Sequence, residues 1–191
     1  GVVTRFTYKA HPVGPQIAFT FVMHPGENAK QALAYFRETA KGFGDDVSAI
    51  AVLGHVPPVA PFPEESHERP FVLFAAAYAG DPEEGEKILA PLRDYDTPIV
   101  DFSDIMPYVE MQKIWDEDYP SGELHYYWKS SYLDSLSDEA IEILVAQNAK
   151  SPSVLSTVDI WHLGGAFKRF DNRTSAFGAR ESNFLLGIEA N

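Results

Sequence analysis

The chain has 191 residues, of which 45% are hydrophobic and 13% aromatic, so it can bury a substantial core and suits a single domain. Its 15 Lys and Arg residues stand against 28 Asp and Glu residues, and the net charge of -13 disfavours nucleic acid and anionic membranes as partners. The absence of cysteine excludes disulfides and thiolate metal sites and favours a cytoplasmic protein.

Alternating side chains and helix-type spacing divide the first part of the chain into strands and helices. Strands are predicted over 2–10, 16–24, 47–56, 71–79 and 97–102, and helices over 29–43, 82–93 and 107–115. Asp81 before Pro82 is a strong helix start, because an Asp side chain accepts a free N–H of the first helical turn. The turn at 11–15 should join the first two strands as an antiparallel pair.

The second part of the chain begins with an aromatic run that predicts the central strand of a sheet, Tyr126-Tyr127-Trp128-Lys129-Ser130-Ser131-Tyr132-Leu133. Ser137 then begins a helix, and two strands follow over 153–163 and 183–190. This order of elements predicts one α+β domain over 1–191. We expect an antiparallel sheet of about seven strands with helices on one face, built from ββα-type (ferredoxin-like) units.

The sheet face without helices is the expected site. Alternation sends His125, Tyr127 and Lys129 to one side of the central strand, and we place that side with Asp159 and Trp161. A lysine among core-type neighbours needs a carboxylate, an open cavity or a ligand, and Asp159 is the expected partner. The alternatives are a lysine at a sheet edge or one that extends to solvent, and a further helix that covers this face. A register shifted by one residue would exchange the two faces and bring Trp128 into the site.

The chain lacks the motifs of stand-alone chemistry. It has no glycine-rich phosphate loop, no nucleophile elbow and no paired histidine spacing that would predict a metal site. Its six histidines are scattered along the sequence. A function must therefore come from the sheet face or from a wider resemblance.

Several stretches carry such a resemblance when they are taken in order. They are Gly1-Val2-Val3-Thr4, Tyr78-Ala79-Gly80-Asp81-Pro82, Met106-Pro107-Tyr108, Tyr126-Tyr127-Trp128-Lys129-Ser130, Leu163-Gly164-Gly165-Ala166 and the loop 174–180. Together they resemble the berberine-bridge-enzyme-like FAD-linked oxidoreductases, a branch of the p-cresol methylhydroxylase-type flavin family. The match spans nearly the whole chain.

The resemblance implies a substrate-binding domain. In that family a preceding flavin domain binds FAD and ends in Gly-Val-Val-Thr, so Gly1, Val2 and Val3 are expected at the cofactor. The chain is then a piece without the flavin domain or the C-terminal return. The full-length protein is expected to use FAD to oxidise an alcohol, sugar or amine-type small molecule by hydride transfer. This chain alone is expected to be inactive and to hold no FAD.

The resemblance also bears on the site residues. Some family members place a polar catalytic residue at the position that aligns, within one residue, with Gly187, where glycine cannot serve. We therefore assign no catalytic residue, although Glu189 on the same face or a tyrosine of the C-terminal return could be the base. The loop Phe177-Gly178-Ala179-Arg180 departs from the commoner Phe-Pro-His-Arg form. The expected substrate-binding residues are His125, Tyr127, Lys129, Asp159, Trp161 and Glu189.

A second hypothesis is a free-standing α+β module that binds a small molecule or dimerises through its open sheet face. The coding sequence on either side of this chain would separate the two hypotheses. A flavin oxidase needs a flavin domain upstream and a Tyr-x-Asn segment downstream.

Overall fold

The structure, a computed structural model, describes residues 2–174 and 176–191. These residues form an eight-stranded antiparallel sheet and four α-helices. The strands are β1 (Ile17–Pro25), β2 (Val47–His55), β3 (Pro70–Tyr78), β4 (Val100–Asp101), β5 (Asp104–Met106), β6 (Tyr127–Leu133), β7 (Thr157–His162) and β8 (Phe184–Ala190). The helices are α1 (Ala29–Ala40), α2 (Pro82–Arg93), α3 (Tyr108–Met111) and α4 (Asp138–Asn148). The predicted α+β class is confirmed.

The sheet is assembled from two similar units. Its strand order is β4-β1-β3-β2-β7-β8-β6, with β5 also paired to β1. We call β1-α1-β2-β3 the first unit and β6-α4-β7-β8 the second unit. In each, the strand that comes first in the sequence lies on the outside and the last lies in the middle, and the units meet where β2 pairs with β7. The repeated element is therefore βαββ, as in ferredoxin-like folds, rather than ββα.

Local sequence explains where the helices begin. The Asp81 carboxylate accepts a hydrogen bond of 3.0 Å from the Glu84 N–H at the start of α2. The Ser137 hydroxyl accepts one of 3.1 Å from the Ala140 N–H at the start of α4. Each satisfies an N–H that the helix itself cannot pair. Both caps were predicted, and both are present.

The two faces of the sheet are covered differently. On the helix-covered face, α1, α2 and α4 pack over a core that includes Val22, Phe74 and Ile160. On the opposite face, Met111, Ile114 and Trp115 cover the strands of the first unit. The long helices thus lie on one face as predicted, but α3 and the turn after it cover part of the face that was expected to be open. No helix among the described residues has the length and apolar character needed to cross a bilayer.

The predicted first strand, over 2–10, does not form. Within the described residues, 2–16 have no regular secondary structure, and side chains such as Phe6 and Tyr8 are exposed. A strand needs a hydrogen-bonded neighbour, and alternation in the sequence does not supply one. The strand predicted to pair with it, β1, pairs instead with β3, β4 and β5.

The aromatic run lies at the edge of the sheet, so its prediction as a central strand is wrong. β6 pairs only with β8 among the described strands, and its residues are exposed except for Leu133, which is half-buried. Aromatic residues favour an extended backbone but do not fix the place of a strand in a sheet. The alternative of a lysine at a sheet edge is the one the structure contains.

Candidate active site

Strand register brings two acidic side chains together in the second unit. Glu189 of β8 lies opposite Trp128 on one side and Thr157 on the other, and Gly187 likewise lies between Ser130 and Asp159. Residues directly opposite one another across a sheet point to the same face. Asp159, Glu189 and Trp128 therefore share the face opposite the helices.

The same register corrects the prediction for Tyr127 and Lys129. They lie opposite Ala190 and Ile188, so they point to the helix-covered side and away from Asp159. The Lys129 ammonium is 5.3 Å from the centre of the Tyr127 ring, and both side chains are exposed. Alternation along the run was predicted correctly, but the face assigned to Tyr127 and Lys129 was wrong, as follows when the register is shifted by one residue. His125 is exposed and precedes the strand.

Asp159 and Glu189 form a buried carboxyl pair, as only 5% of Asp159 and 7% of Glu189 is exposed. Burial and the neighbouring Glu189 charge raise the pKa of Asp159 to about 7. Two carboxylates in one low-dielectric site do not both ionise readily, because the charges repel and neither is well solvated. Near neutral pH the pair can therefore hold or release one proton.

Two buried oxygen atoms of the site lack a hydrogen-bond partner in the described part of the chain. Asp159 Oδ1 and Thr157 Oγ1 make no hydrogen bond with any described residue. A buried polar atom without a partner is costly, so such atoms often mark a place where another molecule binds. Thr157 lies opposite Glu189 and Asp159 lies opposite Gly187, so both atoms belong to the face that carries the carboxyl pair.

Tyr119 also belongs to this site, and sequence reasoning missed it. Its hydroxyl donates a hydrogen bond of 3.0 Å to Glu189 Oε2. Burial and the Glu189 charge raise the pKa of Tyr119, so the phenol stays a donor. The ring meets the Trp128 ring edge to face at 5.4 Å between centres. No local spacing predicts the hydrogen bond between Tyr119 and Glu189, because these residues are 70 positions apart in the sequence.

Gly187 and Trp161 form the floor of the site. A Cβ atom at Gly187 would lie 2.7 Å from Trp161 Cζ3, which is too close for any side chain without a shift of the indole. The indole therefore packs on the glycine and fills the space that a residue side chain would take. Asp159 and Trp161 share this face, as predicted from alternation in β7.

Comparison with known proteins gives a consistent result. No protein-family model matches the chain. An FAD-linked oxidoreductase of Dictyostelium discoideum is 29% identical over 191 residues, which cover 97% of this chain and 38% of that relative. The chain thus resembles the FAD-linked oxidoreductases. It spans well under half the length of this relative of the family.

Solved structures of berberine-bridge-enzyme-like proteins share the fold. BBE-like #28 from Arabidopsis thaliana superposes with a TM-score of 0.71 at 16% identity, over 93% of this chain and 37% of that one. Berberine bridge enzyme from Eschscholzia californica superposes with a TM-score of 0.70 at 11% identity, over 94% of this chain and 36% of that one. A chitooligosaccharide oxidase superposes with a TM-score of 0.66 at 16% identity, over 93% of this chain and 38% of that one. The resemblance predicted from the motifs is confirmed.

The family resemblance also singled out the start of the chain and the loop 174–180. Val2 and Val3 are exposed in the segment without regular structure, and Gly1 lies outside the described residues. In the loop 174–180, the Arg180 guanidinium lies 5.2 Å from the centre of the Phe177 ring and donates a hydrogen bond of 3.1 Å to the Phe167 carbonyl. These contacts give Arg180 a packing role in the loop.

A separate cleft of about 610 Å³ opens on the helix-covered side, between the end of α1 and the loop before α4. Its cationic side chains already have partners, since Arg37 pairs with Asp138 and Lys168 bonds to Asn183. The described residues hold no cluster of acidic and histidine side chains suited to a metal ion. The carboxyl pair is the stronger candidate for chemistry.

Proposed function

We propose that this chain is the substrate-binding domain of an FAD-linked oxidoreductase that oxidises an alcohol, sugar or amine-type small molecule. The carboxyl pair Asp159 and Glu189 carries the proposal, because it is buried on a sheet face and can take up one proton near neutral pH. The sequence relative, an FAD-linked oxidoreductase, supports it over nearly the full length of the chain. We propose a cytoplasmic location from the lack of cysteine.

The residues of this face fit a reaction at a flavin. FAD, when bound, supplies a hydride acceptor. The unpaired Asp159 Oδ1 and Thr157 Oγ1 are available to a substrate. We expect the flavin itself to be held by another domain of the same polypeptide, with the exposed Val2 and Val3 on the side toward that domain.

The donor and acceptor set indicates the substrate class. Oxidation of an alcohol or amine carbon removes a hydride and also a proton from oxygen or nitrogen, and a carboxylate can accept that proton. The pair Asp159 and Glu189 is the proton acceptor that this chain offers. The Trp161 indole beside it offers a flat apolar surface suited to a sugar ring or an aromatic amine. Among the proteins of this fold are a chitooligosaccharide oxidase and a berberine bridge enzyme variant in complex with (S)-reticuline, and both support this range.

The test uses the full-length protein loaded with FAD. Mixing it without oxygen with a panel of alcohols, sugars and amines should bleach the flavin absorbance with at least one of them. Glu189→Gln and Asp159→Asn are each expected to slow bleaching by about 100-fold or more, because general acid–base catalysis contributes on that scale. Asp104→Asn, an exposed carboxylate in β5, is the matched control and should leave the rate unchanged.

Two results would overturn the proposal. One is a full-length protein that binds no FAD, and the other is an unchanged bleaching rate in both carboxyl variants. The 191-residue chain on its own is expected to be colourless and inactive. A yellow preparation with one flavin per chain would show that this expectation is wrong.

The second candidate, a dimerisation module, is favoured by the exposed aromatic side chains of β6. Trp128 and Tyr132 are partly open to solvent on the face opposite the helices. Exposed aromatic patches of this kind often mark interfaces. Sedimentation of the isolated chain as a strict monomer, without binding of an apolar dye, would exclude a homodimer through this face.

A further inference from the structure

Buried acid pairs in enzymes are useful when the two carboxyl groups differ, so that one holds the proton and the other the charge. Asp159 and Glu189 have similar burial, and neither has a cationic partner among the described residues. Their hydrogen bonds, however, differ. Glu189 accepts one from Tyr119, whereas Asp159 Oδ1 accepts none from any described residue.

We infer that Tyr119 is the positioning residue of this site, and that its hydroxyl keeps the negative charge on Glu189 and leaves the shared proton on Asp159. This inference rests on the proposed function and deepens it. A hydrogen bond donated to a carboxylate stabilises its charged form. The Tyr119 bond therefore favours charge on Glu189, and Asp159, whose Oδ1 has no donor among the described residues, is the cheaper one to protonate. The pair is thereby divided into a proton acceptor, Glu189, and a proton donor, Asp159.

The surroundings of Tyr119 hold its hydroxyl in place. The Tyr126 hydroxyl donates a hydrogen bond of 2.9 Å to the Pro120 carbonyl and so ties the loop that carries Tyr119 to the strand edge. The Trp128 indole N–H donates one of 2.7 Å to Asn191 Oδ1, and its ring meets both tyrosine rings edge to face within 5.6 Å. An oriented donor loses little entropy when it makes its bond, so it can discriminate between the two carboxyl groups.

This assignment gives the aromatic run a role. Tyr126 and Trp128 brace Tyr119 against Glu189. Glu189, Asp159 and Asp118 are the charged groups that act with burial to raise the pKa of Tyr119, and neither carboxylate of the pair has an ion-pair partner among the described residues. With Glu189 charged, the substrate proton has one acceptor, and protonated Asp159 can donate a hydrogen bond to a substrate oxygen or nitrogen.

The test is Tyr119→Phe, which removes the hydroxyl and keeps the ring. Carbon-13 NMR of the side-chain carboxyl groups in the 191-residue chain reports which of them carries the proton, and it needs no flavin. At about pH 6 the Glu189 carboxyl carbon should show the shift of an ionised group in the unaltered chain. In Tyr119→Phe it should move at least halfway toward the shift of a protonated group, while the Asp159 carbon moves the opposite way.

Tyr132→Phe is the matched control, because Tyr132 lies on the same strand and face as Trp128 but contacts Phe177 rather than the carboxyl pair. It should leave both carboxyl shifts unchanged. The inference is overturned if Tyr119→Phe also leaves them unchanged, or if Glu189 is already protonated at pH 6 in the unaltered chain. In the full-length protein, Tyr119→Phe should displace the pH profile of flavin bleaching, which a purely structural residue would not do.

These outcomes are separate from the failure of the proposed function. If full-length Glu189→Gln and Asp159→Asn bleach at the normal rate, the pair has no part in oxidation. The carboxyl shifts of the 191-residue chain would still decide whether Tyr119 divides the pair.

Discussion

The two βαββ units have the same strand order but differ in what covers their outer strands. In the first unit, every residue of β1 except Pro25 is buried. Its outer edge is paired with β4 and β5, α2 packs on one face, and Trp115 lies on Phe21 of the other, with ring centres 5.3 Å apart. In the second unit the equivalent strand, β6, is exposed.

The difference in cover matches a difference in chemistry. On the face opposite the helices, the first unit contributes apolar side chains such as Phe21, Val52 and Leu73. The second unit contributes Asp159 and Glu189 to the same face. A buried acid pair costs stability, and a well-packed neighbouring unit can offset that cost. One unit thus supplies most of the core and the other supplies the site, and this division can be tested.

The largest expected effect compares one aromatic residue from each unit. Phe74 of β3 is fully buried and stacks on Phe36 at 5.8 Å, so Phe74→Ala should cost about 3–5 kcal/mol of unfolding free energy. Trp128 of β6 is 49% exposed, and Trp128→Ala should cost less than about 2 kcal/mol. Urea unfolding of the two variants measures both values. The central strand predicted from the sequence would bury Trp128, and an equal loss in both variants would contradict the division between the units.

The next effect concerns Asp159. Its pKa of about 7 in the folded chain lies above the ordinary value of 3.8, so the folded state binds the proton more tightly than the unfolded state. Stability therefore falls as pH rises from about 4 to 7, and the full penalty remains above pH 7. Asp159→Asn removes an ionisable group and should raise stability at pH 8 by on the order of 2–4 kcal/mol.

Melting temperatures at about pH 4 and pH 8 measure this effect. The variant should melt higher than the unaltered chain at pH 8, and the two should agree at pH 4. Asp104→Asn, in the first unit, is the control. Its melting temperature should differ from that of the unaltered chain by the same small amount at pH 4 and at pH 8. A variant that melts lower at pH 8 would mean that ionised Asp159 stabilises the fold.

The first unit has an opposite pH dependence through His24. His24 is fully buried, with Nε2 3.4 Å from the Leu92 carbonyl and Nδ1 without a partner among the described residues. Burial lowers its pKa below 6.5 even though that carbonyl and the nearby Asp96 act in the other direction. As pH falls below 6.5, the unfolded state takes up the proton first, so stability is lost toward acid and is fully present above that value.

His24→Leu should therefore flatten the acid side of the stability curve. A single proton contributes at most about 1.4 kcal/mol per pH unit to this slope. Unfolding free energies from pH 7 down to pH 5 give the comparison, with His11→Gln in the exposed segment as the control. An unchanged slope in His24→Leu would show that other groups cause the acid loss.

The parts of the molecule that sequence alone predicts are those decided locally. Asp81 and Ser137 cap their helices because a cap needs only the next three residues. Alternation placed Asp159 with Trp161 in β7 and Glu189 with Gly187 in β8, because two residues along a strand always return to the same side. The register between the two strands then brings both sets to one face.

The errors concern choices between distant segments. Whether β6 lies at the centre or the edge depends on which strands pair, and its register depends on β8, more than 50 residues later. A strand with polar residues on both faces gives little preference for one register. Tyr119 was missed for the same reason, since only the folded chain brings its hydroxyl to Glu189.

The smallest expected effect is at Lys129, where the sequence predicted a large one. A lysine paired with buried Asp159 would be needed for the site, but Lys129 points to the other face and is exposed. An exposed lysine over a tyrosine ring contributes little to the free energy of unfolding, because water solvates the ammonium about as well as the ring does. Lys129→Ala should change the unfolding free energy by less than about 0.5 kcal/mol and leave the Asp159 carboxyl carbon shift unaltered. If the Asp159 carbon shifts in Lys129→Ala, then the ammonium reaches the acid pair, and Lys129 cannot lie opposite Ile188 on the helix-covered side.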